Sequence, residues 1–114
     1  MRLVNSNDVS KGPVDVEGAE SATIQWLIGK DDGAPTFAMR LFELQPGGHT
    51  PLHRHAHEHE VFVVEGHGVV VCEGESFPIG SEDAILMPGG KEHCFENTSD
   101  VPLRFLCLIP ISAA

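Results

Sequence analysis

Positive charge is scarce in this chain. Lysine and arginine together number 7 against 17 aspartates and glutamates, for a formal net charge of −10 and a pI near 4.9. A surface that binds duplex nucleic acid or an anionic membrane needs the opposite sign, because basic side chains must displace counterions from phosphates. Nucleic acid and membrane partners are therefore not expected. Long apolar runs are missing as well, none approaching the ~20 residues that span a bilayer. The opening stretch, MRLVNSNDVSKGPVDVEG, has neither the apolar core nor the small-residue cleavage site of a secretory signal. These absences predict a soluble, cytoplasmic protein. Cysteine is sparse: Cys72, Cys94 and Cys107 are odd in number and widely spaced, which excludes a disulfide framework and a zinc ribbon. They read as ordinary core or strand thiols in a reducing compartment.

Helical periodicity is also lacking. No window long enough for a three-turn helix places apolar residues at i, i+3, i+4 and i+7. Long-period repeats and low-complexity segments are absent too. In their place stand short apolar runs bounded by Gly, Pro, Asn or Asp, namely 22–28, 36–44, 60–64, 68–73, 75–79, 83–87, 92–96 and 103–109. The second is stopped by Pro46-Gly47-Gly48, and the third and fourth read as a hairpin. Such a series predicts an all-β domain, a small antiparallel double-sheet β-barrel or jelly roll. Residues 1–19, polar and interrupted by Gly12-Pro13 and Glu17-Gly18, are expected as an N-terminal arm, with 20–114 as the single barrel domain. Most strands are apolar on both parities, as in Val69 to Val71 and Phe105 to Ile109, whereas a sheet with one wet face alternates. A chain this small has few elements to cover both faces, so a homodimer packed sheet against sheet is expected.

Histidine is what the chain has in excess. Four of its seven histidines fall at alternate positions of HRHAHEH, as His53, His55, His57 and His59, and His93 follows in PGGKEHCFEN. Neutral imidazole is a good ligand for zinc, copper, iron and nickel and a weaker one for manganese. Residues two apart on a strand share a face. His53 and His55 can therefore point together into a barrel, and His59 shares their parity where no bulge intervenes. His93 enters from another strand after a sharp turn.

The spacing resembles the two motifs of the cupin family. Gly47, His53, His55 and Gly66 fall on the first, and Pro88, Gly90, His93 and Asn97 on the second. Two positions depart from the pattern. Glu82 stands where a glycine usually opens the second motif, at a turn remote from the metal. Six residues before Gly66 stands His59, where the family has glutamate, while Glu60 comes one place late. The resemblance covers Phe37 to Ile109 and implies one divalent transition metal held by His53, His55, His59 and His93, a four-histidine variant of the usual three-histidine, one-glutamate site. Glu60 is the alternative fourth ligand if a bulge turns the strand. His57, Glu58 and His67 are assigned to the mouth or surface, and His49 to a turn. Manganese or iron is the expected working metal, since a six-coordinate ion keeps two adjacent positions open; zinc, nickel or copper is expected as an ion acquired on expression. A four-coordinate zinc would be closed and structural.

Parity also suggests a pocket. With Arg104 outward, Phe105, Cys107 and Ile109 point inward, and His93 carries Phe95 with it, so that Phe95, Phe105 and Ile109 form an apolar lining. Arg40 and Cys107 are the candidate catalytic residues. Arg40 either reaches inside to hold an anionic or enolate group or faces outward to an acidic neighbour. Cys107 is either a pocket thiol or a core cysteine. Four neutral ligands leave the site a charge of about +2, which strengthens Lewis acidity and supplies no built-in proton acceptor. The expected function is a metal-dependent oxidoreductase of the dioxygenase type acting on a small, mostly apolar or enolisable molecule. A non-redox isomerase or lyase, and a binding or sensing protein without turnover, are the alternatives, because the fold serves all three.

Overall fold

Val61 and Val63 point to one side of their strand and are buried, while Phe62 and Val64 point to the other and are exposed. The same period of two marks residues 67–71 and 103–110. The computed structural model describes all of residues 1–114. Its strands are β1 (Gly12–Pro13), β2 (Glu20–Ile28), β3 (Phe37–His49), β4 (His59–Glu65), β5 (His67–Cys72), β6 (Glu75–Gly80), β7 (Ala84–Met87), β8 (His93–Glu96) and β9 (Leu103–Pro110). Three short 3₁₀ turns complete the secondary structure, and no helix is long and apolar enough to cross a membrane. The all-β expectation is borne out.

All strand pairs are antiparallel. The sheet runs β6-β5-β8-β3-β9-β4-β7, with β2 on the other edge of β3 and β1 on β2. It curls at β3, which pairs with β9 from Phe37 to Leu44 and meets β8 only at His49 and Glu96. The curl brings Phe95 of β8 against Phe105 of β9, ring centroids 4.8 Å apart, and Phe105 stacks on its cross-strand partner Phe42 at 5.4 Å. Such pairs hold the core beyond the area they bury. Leu103, Phe105, Cys107 and Ile109 of β9 all face this core and are almost fully buried. Arg104 takes the outer face, between Glu43 and Glu65.

Two sequence expectations change here. The run expected to stop at Pro46-Gly47-Gly48 continues to His49, which is a strand residue paired with Glu20 and Glu96 and not a turn. The reason is pairing: Gly47 donates to the Asn97 carbonyl and Asn97 to that of Gly48, so the segment stays in register despite its composition. Gly48 has no room for a side chain, since a Cβ would lie 2.7 Å from the Ser21 carbonyl oxygen. The other change concerns residues 1–19. Gly12–Pro13 pairs with β2, Val14 packs against the core, and the buried Gln25 amide donates to the carbonyls of Ser6 (2.7 Å) and Val9 (2.9 Å). The segment is thus tied down along the barrel wall.

Asn97, from the second motif, is 2% exposed. Its amide donates to the carbonyls of Leu44 and Val101, and its oxygen accepts from the Ser99 N–H and hydroxyl. It closes the β8–β9 turn and anchors that turn to β3, at the end of β8 opposite His93.

Candidate metal centre

The histidine-rich stretch is not a strand. Only His53 bridges its neighbour, exchanging backbone hydrogen bonds with His93 at 3.1 and 2.9 Å, and regular pairing resumes at His59. Residues between them form a bent loop, tied to the PGG turn where Gly90 donates to the His55 carbonyl at 2.7 Å. Loop geometry, rather than strand parity, brings the rings together. Ring centroids lie 4.9 Å apart for His53 and His55, 5.1 Å for His53 and His93, 4.5 Å for His55 and His59, and 5.2 Å for His59 and His93.

Ligand nitrogens fall into two overlapping sets, His53, His55 and His93, and His55, His57 and His59, each within 4.8 Å. His55 belongs to both. His57, assigned by sequence to the mouth or surface, stacks on His55 at 3.8 Å with its ring nearly parallel. Its place at an alternate position of the same run is the signal that marks it. Glu60 is exposed and points away from the cluster side, while His59 is 8% exposed and faces in.

Hydrogen bonds fix which nitrogen each ring offers. Nδ1–H of His55 donates to the His57 carbonyl at 2.8 Å, and Nδ1–H of His93 to that of Lys91 at 2.8 Å. Both rings therefore present a bare Nε2 lone pair. His59 Nδ1 lies 2.8 Å from the Cys107 sulfur, and donation to that sulfur frees its Nε2 as well. The Nε2 atoms of His55 and His59 then face each other at 2.6 Å. Two lone pairs so placed repel, and a divalent cation held by both rings would offset that repulsion. The residues fit a divalent metal.

Their protonation suits it too. Burial, reinforced by the neighbouring His55 and Arg40, drives the His59 imidazole from the usual 6.5 down to about 3. Burial is also the main cause that lowers His53, His57 and His93, although the Lys91 carbonyl partly offsets it at His93. Rings that stay neutral lose no proton when they take a metal.

A cavity of ≈ 280 Å³ opens beside the cluster and shares His53 and His93 with it. Phe95 and Phe105 line it, with Phe42, Trp26 and Arg40 around them, and Val14 and Val16 of the N-terminal segment on the far wall. Ile109, predicted to complete the lining, does not. It has the right parity but sits further along β9, buried in the core opposite Ala38. Cys107 both lines the cavity and touches His59. Burial raises its thiol pKa, against the opposing pull of Arg40. Arg40 faces in: its Nη2 lies 3.0 Å from the Cys107 sulfur and 3.5 Å from His59 Nδ1.

A curled antiparallel barrel with a histidine cluster at one end of β4 and β8 defines a cupin. The family profile described as Cupin domain matches residues 40–109, and the chain belongs to that family. Over 74 residues it is 35% identical to the 1-methylthio-D-xylulose 5-phosphate methylsulfurylase of Rhodospirillum rubrum, covering 65% of this chain and 47% of that protein. It is 36% identical over 74 residues to the Oxalate-binding protein of Thermotoga maritima, covering 61% of each. The chain thus spans roughly half the length of the curated relatives it matches. Among solved structures, the polyketide cyclase RemF from Streptomyces resistomycificus superposes with a TM-score of 0.93 at 36% identity, covering 97% of this chain and 80% of that one.

Proposed function

We propose that the chain is a metal-dependent enzyme of carbonyl chemistry, promoting a non-redox isomerisation or ring closure of a small enolisable molecule. The supporting observation is the juxtaposition of an all-imidazole donor set with an aromatic cavity that opens on two of its members, His53 and His93. A divalent ion held there supplies Lewis acidity to a substrate oxygen, undiminished by any anionic ligand. Phe95 and Phe105 keep water from one side of the cavity, and Asp15 is the one carboxylate of the lining, exposed on the segment after β1. Asp15 is the proton acceptor the wall offers. RemF, which matches nearly the whole chain, is named a polyketide cyclase, and this supports the ring-closing form of the reading.

Deuterium uptake from solvent into acetylacetone, followed by NMR under argon with the nickel-loaded protein, whose ion is not limited to four ligands, tests the proposal. Exchange should exceed that of a His55→Ala variant, which loses the donor common to both sets, by at least about tenfold, the lower end of what losing even an outer-shell partner of a metal ligand costs. A second reading, the dioxygenase expected from the sequence, is favoured by the same neutral donors, since imidazole suits iron as well as zinc. Oxygen consumption that needs iron, with no anaerobic exchange, would establish it in place of the first. Binding of acetylacetone with neither activity would leave a binding protein.

A further inference from the structure

Arg40 lies on the inward parity of β3, between Ala38 and Phe42, where an arginine is costly to keep. Charge taken out of water must be paired, or its burial opposes folding. Yet none of the protein's four ion pairs involves Arg40; they use Arg2, Lys11 and Arg104, on the surface. This holds in a chain with 17 acidic residues against 7 basic ones. Its Nε is buried with no hydrogen-bond partner, the only such side-chain atom in the protein. What the guanidinium does touch carries no negative charge: the Cys107 sulfur at 3.0 Å, the neutral His59 ring at 3.5 Å from Nδ1, and the ring faces of Phe42 and Trp26, 5.0 and 5.6 Å from its central carbon to their centroids. Aromatic faces position a guanidinium but do not neutralise it.

The same cavity that exposes Arg40 is walled by Trp26, Phe42, Phe95 and Phe105. We infer that Arg40 is an anion subsite, and that the ligand of this cavity is a small planar organic anion, a carboxylate or enolate conjugated to an apolar body. The guanidinium fork matches a planar oxyanion through two parallel N–H···O bonds. The aromatic walls take the flat body, and His53 and His93 face its other end. This deepens the proposed reading by giving the substrate its charge and shape, but Arg40 is not a metal ligand, so the subsite can be tested with the metal removed.

Benzoate and its neutral isostere benzamide are the probes. Trp26, the only tryptophan of the chain and a neighbour of Arg40, supplies the fluorescence signal, and calorimetry supplies the affinities. In chelator-treated protein, benzoate should bind at least about tenfold more tightly than benzamide, the equivalent of one charge-assisted hydrogen bond. Arg40→Gln should abolish that preference, and Arg40→Lys should retain it in part, as a point charge without the fork. The wild-type comparison needs no variant, so it stands even if Arg40→Gln folds poorly. Equal affinity for the two probes, or a benzoate preference that survives Arg40→Gln, overturns the inference. A benzoate preference found only in metal-loaded protein also overturns it, because the anion is then read by the metal, and the metal-centre reading survives. Conversely, failure of the protein to take up metal sinks the carbonyl-chemistry reading while the test on metal-free protein still decides the subsite.

Discussion

The buried His59 imidazole is held at Nδ1 by the Cys107 sulfur, with its Nε2 turned toward that of His55. A hydrogen bond to the far nitrogen of a metal-binding histidine sets its tautomer, and losing one typically weakens metal binding 10–100-fold. Cys107→Ala should therefore weaken zinc binding by about that factor, with Cys107→Ser, whose hydroxyl also accepts, closer to the parent; competition with a chromophoric chelator reads both. Glu60→Gln, at an exposed position, should leave the affinity unchanged. The depressed imidazoles also set a pH dependence for the metal-free protein. An unfolded chain protonates its histidines near 6.5, whereas folded His59 resists until about 3, so between these values the unfolded state binds more protons. Stability must then fall as pH drops through that window, and His53, His57 and His93 add in the same direction. Thermal melts should be flat above the ordinary histidine range and decline steadily below it; a melting temperature that rises on acidification would contradict the burial of these rings.

At the scale of the element, the motif residues that are not ligands turn out to build turns. Gly66 adopts φ +86° between β4 and β5, and any Cβ there would run into the Pro102 carbonyl oxygen. Asn97 serves four hydrogen-bonding groups while buried. Asn97→Ala removes the side-chain donor to the Leu44 carbonyl and the acceptor of the Ser99 N–H, leaving Val101 only the Ser99 hydroxyl, and a loss of about 2–4 kcal/mol is expected from urea denaturation, given the cost of leaving buried polar groups unpaired. Because Asn97 anchors the turn directly after β8, and β8 begins at His93, the same variant should also weaken metal retention. The strands themselves were legible from short apolar runs between turn residues, since β4 and β9 alternate buried and exposed positions as a period of two requires. The extension of β3 through Pro46-Gly47-Gly48 was not, because partners remote in sequence, Asn97 and Glu20, hold a segment whose local composition reads as a stop.

Across the whole molecule, an apolar outer face remains uncovered. Phe62 and Val64 of β4 and Leu86 of β7 are exposed there, with Leu106 and Leu108 of β9 half-buried beside them. A homodimer through this face stays a proposal, drawn first from apolar residues on both strand parities. Light scattering at micromolar concentration should give twice the monomer mass of 12.3 kDa, and Phe62→Glu combined with Leu86→Glu should return it to monomer. A monomeric mass for the unmodified protein would remove the idea. The three cysteines are all free, in keeping with their reading as core or strand thiols.

By itself the sequence determined the fold family and pointed to His53, His55, His59 and His93 as candidate donors, though not to His57. The period of two and the spacing of His53, His55, His93, Gly66 and Asn97 are local or pairwise facts, and they survive translation into any barrel of this kind. Tertiary structure alone decided the rest. Parity arguments hold only within regular strands, and the donors of residues 53–58 lie on a loop shaped by the PGG turn, which is how His57 comes to stack on His55. Ile109 has an inward parity yet lies beyond the cavity, because parity selects a face and not a height along the strand. Arg40 could be assigned to neither face from charge alone; it faces the histidines because the inner parity of β3 places it there, between rings that hold it and without an acid to pair it.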